Sequence, residues 1–117
     1  MNTPILLTLN LRDDTIILDE GVLNALDHPQ QVQLLLNKEE RMLLLRACTI
    51  EDQQALVVPD GDLSMCEISG RSLLRKIRKI VGWDDNQIRV CNGEYLPAHQ
   101  AVRFNLAEAQ IVSIGTQ

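Results

Sequence analysis

The sequence predicts an α+β chain: a β unit over residues 1–50, a turn-rich link over 51–63, then one amphipathic helix packed on a three-stranded antiparallel meander over 64–117. Three observations predict it. Apolar residues alternate with period two in "ILLTLNL" (5–11) and "AVRFNL" (101–106), as in strands with one buried face. Leu73, Leu74, Ile77, Ile80 and Val81 instead share one helical stripe. Between these regions Pro59, Asp60, Gly61 and Asp62 form a strong turn cluster.

In the first half, Leu7, Leu9 and Leu11 continue the inward set begun by Ile5, and Arg12, Asp13 and Asp14 break the strand. β-branched "TIIL" (15–18) reads as its return. Asp19 is placed to cap a short helix in which Val22, Leu23 and Leu26 share a face, and Pro29 ends it by pushing the preceding residue out of helical geometry. "VQLLLN" (32–37) and "RMLLLRA" (41–47) read as a hairpin about Lys38, Glu39 and Glu40. The competing single helix over 31–47 is disfavoured because two Leu triplets leave no continuous stripe.

In the second half, "MCEI" (65–68) reads as a short strand before a helix that opens at Ser69 or Ser72 and stops at Gly82, with Trp83 folding over its last turn. "IRVC" and "EYLP" flank Asn92-Gly93, the strongest short signal for a hairpin turn, and "AVRFNL" completes the meander. Residues 107–114 fit either a short helix or a final strand. No internal repeat is legible.

Composition limits function. The chain of 117 residues is 45% hydrophobic and 23% charged, ordinary for a folded domain, and its 3% aromatic content leaves too few rings for a base-stacking platform. Cys48, Cys66 and Cys91 are an odd set with no C-x-x-C spacing, which places the expected location in the cytoplasm. No apolar run approaches the roughly 20 residues that cross a bilayer. No P-loop, G-x-S-x-G elbow or dinucleotide fingerprint is present. "PDGDLS" lacks the ligands of a calcium loop, and His28 and His99 have no second ligand at metal spacing. The expectation is therefore a non-enzyme without cofactor or metal.

The segment "DTIILDEGVLNALD" (14–27) keeps Ile16, Ile17, Leu18, Val22 and Leu26 in step with the pattern G-R-I-V-I-P-x-x-I-R-x-x-L-G. In this, residues 5–48 resemble the swapped-hairpin DNA-binding domain of the AbrB/SpoVT transition-state regulators. Asp19 stands where that family usually has proline, Leu23 where arginine is frequent, and Asp27 where glycine is common. The resemblance implies a swapped-hairpin β unit, a homodimer with interleaved hairpins, and DNA as the partner.

The family grips DNA through basic residues. Here Arg12, Lys38, Arg41 and Arg46 face nine acids between Asp13 and Asp52, so the second half must supply the charge. It does so in "GRSLLRKIRKIVGW" (70–83): Arg71, Arg75, Lys76, Arg78 and Lys79 put +5 into nine positions of a chain whose net charge is −5, leaving −10 elsewhere. Three readings of that face remain open: a solvated surface, phosphate contact, and docking to an acidic protein surface. The expected function is a small dimeric DNA-binding regulator using these five residues, with Arg46, Arg89 and Arg103 extending the strip; the alternative is a protein-interaction module on the same scaffold.

Overall fold

The computed structural model describes residues 4–49, 51–52, 55–58 and 65–112, so the expected turn at 59–62 lies outside the described residues. The strands are β1 (Leu6–Asn10), β2 (Thr15–Asp19), β3 (Gln31–Asn37), β4 (Met42–Ala47), β5 (Leu56–Val57), β6 (Met65–Ser69), β7 (Ile88–Leu96), β8 (Ala101–Asn105) and β9 (Gln110–Ile111). Two helices interrupt them, α1 (Glu20–Ala25) and α2 (Arg71–Val81). Short 3₁₀ turns cover Pro97–His99 and Leu106–Glu108.

These strands form one antiparallel sheet in the order β5-β3-β4-β8-β7-β1-β2-β6, with β9 also on β7, curled into a nearly closed barrel. This corrects the expected architecture of a separate swapped-hairpin-like unit followed by a helix on a three-stranded meander. β6 pairs with β2, β7 with β1, and β8 with β4, so strands from the two ends of the chain alternate around one wall. The longer strands turn one face inward: Leu7 and Leu9, Ile16 and Leu18, Leu43 and Leu45, Val102 and Phe104 are all fully buried in a common core. Among the described residues no helix is long and apolar enough to cross a membrane.

The meander fails at a particular residue. Asn92 and Gly93 lie inside the continuous nine-residue β7, which pairs with β1 up to Asn92 and with β8 from Gly93 onward. Gly93 does not have positive φ; instead, a Cβ there would sit 2.6 Å from both Phe104 Cε1 and Val102 Cγ1. Glycine is required by close packing where the strand passes from one side of the barrel to the other, and the turn chemistry of Asn-Gly is not used. Gly21 answers a similar demand, since its Cβ would lie 1.9 Å from the Pro4 carbonyl oxygen.

Local expectations in the first half fare better. Leu7, Leu9 and Leu11 are buried, β3 and β4 form the hairpin with the Lys38–Arg41 connection, and Val22, Leu23 and Leu26 turn inward. Asp19 occupies the N-cap position of α1, although its side chain makes no capping hydrogen bond. The helix ends before Pro29, through Asp27 and His28 at φ 58° and 49°. Residues 106–111 contain both open alternatives, a 3₁₀ turn followed by the short β9.

The pairing registers disclose an internal pseudo-twofold relation. Adding 59 to the residue numbers carries β3–β4 onto β7–β8, so that Leu34↔Leu45 becomes Gly93↔Phe104. Adding 50 carries β2 onto β6 and their ladder onto itself: Thr15↔Ser69 becomes Met65↔Asp19. β1 and β5 correspond at an offset of 49, which relates Leu7↔Cys91 to Val32↔Leu56. One pair of left-handed residues agrees as well, Arg41 at φ 54° matching Gln100 at φ 48°. The offset rises by nine between β6 and β7, and that extra chain is spent on α2 and the loop after it. The barrel is thus built from two related halves, and α2 is where they differ most.

Candidate nucleic-acid interface

Helix α2 is held by its apolar stripe. Leu74 and Ile77 are fully buried, and Leu73, Val81 and Trp83 pack partly against the same core. Burying one such side chain stabilises by roughly 1.5 to 3 kcal/mol, against about 0 to 1 for an exposed ion pair, so packing fixes the helix axis and leaves the charges where the wheel puts them. The N-cap is Gly70, not Ser69 or Ser72, and it supplies no side-chain cap. At the other end Gly82 adopts φ 82°, and the Gly82 and Trp83 N–H groups both donate to the Arg78 carbonyl, at 2.8 and 3.1 Å.

The five cations of the segment divide into two kinds. Arg71, Arg75, Lys76 and Lys79 are exposed, and among the described residues none has a hydrogen-bond or ion-pair partner. Arg71, Arg75 and Lys79 follow one another at i, i+4 and i+8, a row about 12 Å long, with Lys76 beside it. Arg78 is different. Its guanidinium donates to the carbonyls of Leu11 (2.9 Å) and Asp85 and to Asn86 Oδ1 (2.9 Å), tying the last turn of α2 to the end of β1 and to the loop that follows the helix.

The three arginines expected to lengthen the strip are also engaged. Arg89 is buried, reaches both Asp85 carboxylate oxygens at 2.7 and 2.9 Å, and lies 4.3 Å from the centre of the Trp83 ring. Those hydrogen bonds from Arg89, with help from the Gln87 N–H, pull the Asp85 carboxyl down to about 2. Arg46 faces Asp52 at 3.7 Å and donates to Gln33 Oε1, while Arg103 pairs with Glu94. Among the described residues Arg12, Lys38 and Arg41 are also exposed without side-chain partners, but only α2 gathers several such cations on one element.

Other candidate chemistry is absorbed by the fold. Cys66 and Cys91 are buried in strands, and burial pushes the Cys91 thiol up to about 12, far from a nucleophilic thiolate. His28 Nε2–H donates to Asn24 Oδ1 at 2.7 Å, and His99 lies in the 3₁₀ turn before β8. Among the described residues no three His, Cys, Asp or Glu converge as a metal site.

One feature escapes sequence reasoning. A cleft of about 330 Å³ opens between β5, β6 and the start of α2, lined by Ile16, Leu34, Leu56 and Leu73, with Arg71 and Lys76 also on its wall. It depends on strands distant in sequence lying at the two ends of the sheet order, and no local pattern signals that. Arg78 could have been separated from the other cations by the helical wheel, because it borders the stripe four residues after Leu74 and three before Val81. In comparisons with known proteins no family model, no curated protein and no solved structure matches the chain.

Proposed function

We propose that this protein is a small non-catalytic regulator that binds duplex DNA through the outward face of α2, with Arg71, Arg75, Lys76 and Lys79 contacting phosphates. The observation that carries the reading is the set of four cations, without partners among the described residues, on one helix whose opposite side is fixed by fully buried Leu74 and Ile77. Sixteen acidic residues are available in the chain, yet among the described residues none is placed against these four. An anionic partner of regular charge spacing fits such a row, and phosphate neutralisation supplies affinity without reading bases.

The barrel needs no hairpin from a second copy, because β3 and β4 find β5 and β8 within the chain. The proposal accordingly assigns DNA contact to each single chain, and Arg78 is excluded from it. Fluorescence anisotropy of a labelled duplex at low salt tests it, with wild type beside Arg75→Glu/Lys79→Glu. Binding lost in the double variant is the expected result. Wild-type protein that leaves the duplex free at low salt would defeat the reading and shift the face to an acidic protein surface.

A further inference from the structure

We propose that the cleft between β5, β6 and α2 is a binding site for a small amphipathic carboxylate, its apolar body on Ile16, Leu34, Leu56 and Leu73 and its anionic head between Arg71 and Lys76. Three independent observations lead there. The first is the broken symmetry of the barrel. Offsets of 49 and 50 carry the β1–β2 pair Leu7↔Leu18 onto Leu56↔Ile68, yet β5 and β6 stand at opposite ends of the sheet order and no ladder joins them among the described residues. The cleft occupies the place where this pairing would have closed the wall.

The second is its lining. A volume of about 330 Å³ with predominantly aliphatic walls is of the size and character that hold small ligands, for which a few polar groups fix the orientation. The third is charge. Among the described residues Arg71 and Lys76 both line the cleft, both lack partners, and no Asp or Glu joins them on its wall. An apolar floor beside two free cations selects a ligand that is greasy at one end and negative at the other; a neutral or cationic analogue would leave the two charges uncompensated. This inference shares Arg71 and Lys76 with the DNA reading, but its test contains no nucleic acid, so the two can fail separately.

Isothermal titration calorimetry with sodium decanoate, 1-decanol and decyltrimethylammonium is the test, on wild type and on Arg71→Gln/Lys76→Gln. Decanoate should bind saturably at one site per chain, at least tenfold more tightly than either analogue, and the double variant should lose at least tenfold in affinity while melting at the wild-type temperature. A second variant, Leu56→Glu, should abolish decanoate binding by placing a carboxylate on the floor. Absence of saturable decanoate binding to wild type overturns the proposal. So does equal affinity for the cationic analogue, or affinity unchanged in the Arg71→Gln/Lys76→Gln protein.

Discussion

Arg78 separates structural from available charge in a helix where five cations look alike, and replacing it by methionine shows how far the separation goes. Met preserves the unbranched stem and removes the guanidinium, deleting the bonds to the Leu11 carbonyl, the Asp85 carbonyl and Asn86 Oδ1. Hydrogen bonds with a charged partner contribute about 1.5 to 3 kcal/mol each when partly shielded from water. Two of the three are part-buried, and at the lower end of that range they give a loss of about 3 kcal/mol. The third, exposed to solvent, adds little. For a chain of this length about 4 °C of melting temperature accompanies each kcal/mol, so Arg78→Met should melt about 12 °C below wild type by circular dichroism. Arg75→Met, three residues before Arg78 on the same helix but facing water, should stay within about 0.5 kcal/mol of wild type. Equal melting temperatures for the two variants would refute the division of the helix into a pinned residue and four free ones.

Two further outcomes follow from the barrel and its loop. Gly93→Ala should destabilise by about 1 to 3 kcal/mol through overpacking, because the new methyl meets Phe104 and Val102 at 2.6 Å, and Phe104→Leu in the same chain should recover part of the loss in urea titrations; a turn glycine would show no such rescue. Asp85→Asn should lower stability at neutral pH by removing the charge on which Arg89 depends, and its deficit relative to wild type should shrink in acid. Asp85 is held at about 2 in the folded chain against about 3.9 unfolded, so its contribution is complete above roughly pH 4 and fades as pH falls toward 2. A deficit that persists undiminished at pH 2 would contradict the Arg89–Asp85 pair as its source.

The parts of this fold legible in the sequence are those decided by neighbours along the chain. The stripe from Leu73 to Val81, the stop at Gly82 and the hairpin around Lys38–Arg41 each rest on periodicity or turn chemistry within a few residues, and all three are present. Asn92-Gly93 carries an equally strong local signal, and tertiary packing overrides it: the bulk of Phe104 on the neighbouring strand demands the missing Cβ, and the chain runs straight on. The repeat is invisible because corresponding inward positions need only be apolar and complementary in size. Leu18 matches Ile68, Val32 matches Cys91, and in the matched pairs Leu34↔Leu45 and Gly93↔Phe104 two medium side chains are exchanged for one small and one large. At the candidate site the charge cluster could be read directly, whereas the fate of Arg78 depended on a carbonyl 67 residues away and that of Arg89 on a pocket formed with Trp83.

The salt dependence of duplex binding tests the account most directly. Each phosphate neutralised contributes about 0.9 to the slope of log affinity against log salt, so four contacts predict a slope of about −3.6 for wild type, falling by about 0.9 for each of Arg71, Arg75, Lys76 and Lys79 replaced singly by glutamine. Duplex affinity that is indifferent to salt, or a slope left unchanged by those four substitutions, would contradict phosphate recognition by the outward face of α2.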